Sequence, residues 1–185
     1  VTLDQARYEL VLKRLIAVLA AYEDMLAFTK LMMPTPGEPD DPDFTRYEVQ
    51  RFHAVIAAAL EELEKGTYKR LIISLPPRHG KTQLASKMFP AWFMGRNPHL
   101  SLIFGTYNDK FSQDIGRAVR DLMLSPGYAQ VFPETRLKGD SQASDRLETV
   151  QGGVLAFVGR GGTTTGRGGD VIIIDDPLKD RQEAD

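Results

Sequence analysis

The chain has 185 residues, a net charge of −2 and a pI near 6.0. That length suits one domain with some excess and suffices for a sizeable core, while the lack of a basic excess leaves any nucleic-acid contact to local patches. With no cysteine in the chain, disulfides and thiolate metal sites are excluded.

Residues 3–30 read as a helix, with Leu12, Leu15, Ile16, Leu19, Tyr22 and Leu26 at helical spacing and charged residues on the other faces. The opening is charged and amphipathic rather than secretory, and its apolar run "LIAVLAA" is far too short to span a bilayer. "MMPTPGEPDDPDF" follows, rich in proline and acid, and reads as a linker or exposed loop. The expected division is therefore a helix and proline-rich linker over 1–45, either an appendage or packed on the same domain, and the main domain over 46–185.

Residues 46–64 form a second helix, closed by Gly66 in a left-handed position. "RLIISL" is short, continuous and β-branched, as a buried strand should be. "PPRHG" is a loop, and "KTQLASKMFPAWFMGR" a helix that Pro90 kinks or interrupts. "LSLIFGTY" is a strand, and the helix after it starts at Asn108, a capping residue. Residues 126–145 are loop-rich. "RLETVQGGVLAFVG" is a hairpin turning at Gly152 and Gly153, followed by the glycine-rich "RGGTTTGRGG" and the strand "DVIIID". Strands alternating with helices predict an α/β fold: a doubly wound, mostly parallel sheet with helices on both faces, whose ligand site lies at the carboxyl ends of the strands.

"LPPRHGKT" carries the chemistry. A P-loop reads G-x-x-x-x-G-K-[ST]; here Gly80, Lys81 and Thr82 fill the last three positions, and Leu75 stands where the first glycine belongs. Such a loop needs amide donors converging at a helix start, a lysine for the β- and γ-phosphates and a hydroxyl for Mg²⁺. Gly80 admits close approach, Lys81 supplies charge and Thr82 the hydroxyl. Pro76 and Pro77 set the turn by rigidity, leaving the cradle to residues 78–82. "VIIIDD" is the second half: Asp175 is the expected Walker B metal ligand and Asp176 the carboxylate that orients water, with Glu183 a rival. A strand and helix lie between the two motifs, so they need not sit on adjacent strands. The expected ligands are ATP and Mg²⁺, bound by Pro77, Arg78, His79, Gly80, Lys81, Thr82 and Gln83, with Gln50 a candidate adenine reader and Thr82 and Asp175 holding the metal. Trp92 and Phe93 read as core rather than as base-stacking groups.

From residue 66 onward, "RLIISLPPRHGKT", "FPAWFMGRNP", "GTYNDKFSQDIGRAVR" and "TTTGRGGDVIIIDDPLKDRQEAD" stand in an order that resembles the ATPase half of a tailed-phage terminase large subunit, a DNA-packaging motor. The resemblance implies a P-loop ATPase with an inserted strand in its sheet. It further implies a ring of subunits, five by expectation, on a portal protein, working with a small terminase subunit on double-stranded viral DNA in the host cytoplasm. It places Arg78 as a γ-phosphate sensor and calls for an arginine from a neighbouring subunit, Arg146 first and Arg136, Arg117 or Arg167 as alternatives. Two departures stand out. Asp176 occupies the position where many such motors have Glu, and the coupling motif and RNase H-like nuclease of the family belong beyond Asp185, so the chain reads as part of something longer. "GRGGTTTGRGG", with Arg160 and Arg167, is either a DNA-touching loop or a connection beside the nucleotide. The alternatives are another P-loop DNA translocase or helicase, a small-molecule phosphotransferase, and a nucleotide-bound module without hydrolysis.

Overall fold

Asp24 divides the expected first helix into two. In the computed structural model, which describes residues 2–159 and 168–177, α1 spans Leu3–Glu23 and α2 spans Met25–Leu31. Asp24 is extended, and its carboxylate accepts from the Ala27 amide at 2.6 Å, so it closes one helix and caps the next. A capping aspartate competes with helix continuation, which is why the periodicity of 3–30 is interrupted there.

The two helices do not form a separate body. Ala21, Met25, Phe28 and Leu31 join the same hydrophobic cluster as the sheet. Arg96 reinforces the junction: its guanidinium bonds the Tyr22 carbonyl and the Glu23 and Glu64 carboxylates, and lies over the rings of Tyr22 and Trp92. The Trp92 indole N–H donates to the Ala21 carbonyl at 3.1 Å. Trp92 and Phe93 are buried, the core role read from the sequence.

Helix α3 is Arg51–Glu64, beginning later than the predicted residue 46. Gly66 follows with φ 77° and its amide bonded to the Leu63 carbonyl, the left-handed exit that glycine adopts without strain. After the loop 76–80 comes a π-helical turn, Thr82–Met88, which runs directly into α4, Phe89–Arg96, with Pro90 at the junction of the two windings. Strand β1 is Ser101–Gly105, and α5, Asp109–Met123, is capped by Asn108, whose side chain accepts from the Phe111 amide. The stretch predicted as loop-rich holds α6, Pro126–Val131, and β2, Leu137–Ala143. Its proline, glycine and charged residues obscured both. Ser125 caps α6, and Tyr128 anchors it by burying its ring and donating to the Ala91 carbonyl. Strands β3, Arg146–Thr149, and β4, Val154–Val158, form the expected hairpin, with Gly152 at φ 93°. Strand β5 is Val171–Ile174.

The fold is mixed α/β with one five-stranded sheet in the order β2-β3-β4-β1-β5. β4, β1 and β5 are parallel, while β2 and β3 are added antiparallel, so the sheet is less parallel than expected. The helical core lies against the face carrying Leu102, Phe104, Leu155 and Phe157. On the opposite face Ile172 and Ile174 are 62% and 66% exposed, so helices on both faces are not found among the described residues. No helix among the described residues is long and apolar enough to cross a membrane.

"RLIISL" is a second correction. It is not a strand, and among the described residues 69–76 make no backbone hydrogen bond. Its alternation is nevertheless that of a strand, with Leu71, Ile73 and Leu75 packed on the core and Ile72 94% exposed. The missing ingredient is a neighbour: between it and β5 lies a groove of about 440 Å³, walled by Leu71 and Ile73 on one side and Val171 and Ile173 on the other. The two segments expected to carry the site are thus not adjacent.

Candidate functional site at the carboxyl ends of the strands

Two elements bring charged groups together at one end of the sheet. Lys81 stands at the start of the π-helical turn, and Asp175 and Asp176 directly follow β5. The Lys81 ammonium lies 3.0 Å from Asp175 Oδ1 and 3.2 Å from Asp176 Oδ1. Asp175 is 5% exposed. Its second oxygen accepts from the Ser86 hydroxyl at 2.8 Å. A carboxylate this buried needs compensation on both oxygens, and it has a cation on one and a donor on the other. The same contact holds the Lys81 pKa above its ordinary value: the hydrogen bond from Lys81 to Asp175 raises it most, desolvation opposes, and Asp176 adds to the rise.

The π-helical turn explains how Lys81 and Ser86 reach the same carboxylate. Five residues apart, they would point about 140° away from each other on an α-helix. An i→i+5 ladder, seen in the Phe89 amide bonding the Leu84 carbonyl, stacks them instead on one side. Ser86 was not singled out from the sequence, because α-helical spacing directs it elsewhere.

The loop ahead of Lys81 is fixed by a histidine. The Gln50 amide donates to His53 Nδ1 at 3.1 Å, so the ring proton is on Nε2, which donates to the His79 carbonyl at 3.1 Å. Gly80 has φ 75°, a conformation that favours glycine, and a Cβ there would press on His53 Nε2 at 3.0 Å. Gln50 starts α3 and is exposed; its backbone orients His53. His79 spaces the loop, its Nδ1 donating to the Pro77 carbonyl at 2.9 Å. Gln83 turns away, its amide toward the Met33 sulfur at 3.5 Å.

Two non-glycine residues among those described have positive φ, Arg78 at 65° and Asp176 at 44°. Both were candidate site residues, and both flank Lys81. Left-handed backbone at such residues costs roughly 1–3 kcal/mol and persists where surrounding structure imposes it. For Asp176 the restraint is visible: its carbonyl accepts from the Tyr107 amide at 3.2 Å. Arg78 is exposed at the loop tip.

Thr106, one residue past β1, has a buried hydroxyl without a hydrogen-bond partner. The parallel register pairs Gly105 with Ile174, so Thr106 stands beside Asp175 on the next strand, and alternation gives both side chains the same face. An unsatisfied hydroxyl at that place is a donor or acceptor available to a bound group.

The remaining candidates lie apart. Arg146 is on β3, separated from β5 by β4 and β1, and bonds Glu148 at 2.8 Å. Arg117 pairs with Asp114, and the Arg136 carbonyl accepts from the Val150 amide. None of the three belongs to the Lys81 cluster. Glu183, Arg160 and Arg167 lie outside the described residues.

The donor set suits a hard cation with few protein ligands. Among the described residues no three His, Cys, Asp or Glu side chains cluster as a metal cage. Mg²⁺ does not demand one, since it takes one or two carboxylates and completes its octahedron with waters and phosphate oxygens. Asp175 offers one such carboxylate, and Thr82, the first residue of the adjoining turn, carries a hydroxyl. Comparison with family models, with curated proteins and with solved structures finds no match to this chain.

Proposed function

We propose that the chain is the ATP-hydrolysing domain of a DNA-packaging motor of the terminase large-subunit type, with a P-loop fold. One observation carries the reading: the Lys81 ammonium lies between Asp175 and Asp176 at the carboxyl end of β5. A lysine at a helix start facing paired carboxylates on a distant strand is the charge arrangement that a nucleoside triphosphate and its cation need.

In this reading Lys81 exchanges its carboxylate partners for the β- and γ-phosphates of ATP. The amides of residues 78–82 supply donors, oriented by the His53 bond to the loop. Asp175 and Thr82 hold Mg²⁺, which when bound neutralises charge on the β- and γ-phosphate oxygens. Asp176 orients a water for in-line attack on the γ-phosphorus; the bond to the bridging oxygen breaks, and ADP and phosphate leave. Arg78 meets the γ-phosphate, and an arginine of a neighbouring subunit completes charge neutralisation. Arg146 is our choice for that role, since its place on the far side of the sheet suits a contact across a ring better than one within its own site. Duplex viral DNA, a portal protein and a small terminase subunit are the partners this reading implies.

The test is release of phosphate from MgATP with and without duplex DNA. Turnover stimulated by duplex, and reduced on the order of 10²–10³-fold by Lys81→Ala, is expected. Wild-type turnover no faster than that of Lys81→Ala would leave an inert nucleotide-binding module. Dependence on a small acceptor would mark a phosphotransferase, and strand separation a helicase.

A further inference from the structure

Thr106 carries a hydroxyl that the fold itself does not use. Among the described residues the other buried serines and threonines, Thr29, Ser86, Ser112, Thr135 and Thr149, each have their hydroxyl in a hydrogen bond. Thr106 is 6% exposed, and its hydroxyl has no partner among the described residues. A buried polar group left in that state weakens the fold, so its presence calls for a reason outside folding.

The backbone fixes where that hydroxyl lies. The Thr106 amide donates to the Val158 carbonyl at 3.1 Å on one side. On the other, the Asp175 amide donates to the Gly105 carbonyl at 2.9 Å and the Tyr107 amide to the Asp176 carbonyl at 3.2 Å. Held between two strands, Thr106 continues the alternation of Leu102 and Phe104, both buried, and so turns to the face where Asp175 meets Lys81 and Ser86. Branching at Cβ leaves the side chain few rotamers. Both Asp175 oxygens have partners, Lys81 on one and Ser86 on the other, and Thr106 donates to neither. The run leading into the loop 76–80 lies across the groove from β5, on the side away from β1. Across the sheet, Asp175 therefore stands between that run and Thr106.

We propose that Thr106 is a positioning residue for the divalent cation, its oxygen accepting a hydrogen bond from a water that completes the Mg²⁺ octahedron at Asp175. The inference rests on the nucleotide reading above and specifies the cation half of that site. Mg²⁺ gives up water reluctantly, and each water it keeps has protons that need acceptors. A hydroxyl oxygen with two free lone pairs, held beside the carboxylate that takes the ion, is such an acceptor. The Lys81 ammonium can pair with Asp175 and leave Thr106 idle; a hydrated ion in its place engages it.

Thr106→Val, close in shape, and Thr106→Ser, which keeps the oxygen, test this in the 185-residue chain. Urea unfolding without nucleotide should give Thr106→Val a midpoint equal to or above that of the wild type, because an apolar group replaces an unsatisfied polar one. Binding of a fluorescent, non-hydrolysable ATP analogue is then titrated in EDTA and in Mg²⁺. Thr106→Val should bind as the wild type does in EDTA and lose about five- to tenfold of the affinity gained with Mg²⁺, while Thr106→Ser keeps that gain. A lowered midpoint for Thr106→Val would mean that the hydroxyl has a structural partner, and would overturn the proposal. So would a Mg²⁺ gain that Thr106→Val leaves undiminished, a loss that is equal in EDTA, or wild-type binding that gains nothing from Mg²⁺. Wild-type binding no tighter than that of Lys81→Ala would remove the nucleotide reading itself, and this inference with it.

Discussion

Two apolar runs of this chain look alike as text and differ as structure. "RLIISL" and "DVIIID" are both short and β-branched, yet only the second is a strand. Val171–Ile174 has β1 alongside to take up its hydrogen bonds, whereas residues 69–76 have an open groove where a neighbour would stand. Strand propensity states that a segment fits a pleated, half-buried surface; the ladder itself requires a second backbone. Even unpaired, the first run keeps a period of two, so burial alone sets which side chains turn inward.

That contrast can be broken most sharply by substitution along the unpaired run. Ile73→Ala removes a side chain packed on the core and should lower stability by about 2 kcal/mol, as should Ile173→Ala in the paired strand. Ile72→Ala, at a side chain 94% exposed, should change stability by less than about 0.5 kcal/mol. Urea unfolding of the three variants measures this, and an equal loss for Ile72 and Ile73 would mean that the alternation is not set by the core. Next in size is His53→Ala, which removes the bond between α3 and the loop that follows the unpaired run. A loss of about 1–2 kcal/mol is expected, with hydrogen exchange accelerated at Gly80 and Lys81 while amides of β5 stay protected. The smallest effect concerns Lys81, the ion pair that joins the two runs. Its folded pKa is raised above the ordinary 10.5 by Asp175. The pair therefore contributes fully below that pH and fades as pH climbs through the raised value. The stability difference between the wild-type chain and Lys81→Met should shrink as the pH is taken above 10.5, and a difference that grows would reverse the sign of the coupling.

Much of the architecture was readable in the residues because local signals agreed with burial. Asn108 capping α5, Gly66 ending α3 and Gly152 turning the hairpin each act over a few residues, and each is where chain chemistry placed it. Helix α6 and β2 were missed because they depend on remote contacts: Tyr128 on Ala91, and Leu137 on Thr149 across the sheet. The site divides the same way. Lys81, Asp175 and Asp176 announced themselves by a motif and a strand end. Ser86 and Thr106 did not, the first because a π-helical turn departs from ordinary spacing, the second because register alone brings it beside Asp175. The stripe on α1 was found by its period, but periodicity shows that a face is apolar without saying what covers it.

The seven-residue widening at Thr82–Met88 has a geometric consequence for whatever occupies this end of the sheet. Wound at 3.6 residues per turn, the same segment could not keep Lys81 and Ser86 on one carboxylate; one of the two would swing off, and an oxygen of Asp175 would be vacated. Helix pitch and the number of free oxygens on a single buried acid are therefore one variable, and a change in either must be accompanied by a change in the other.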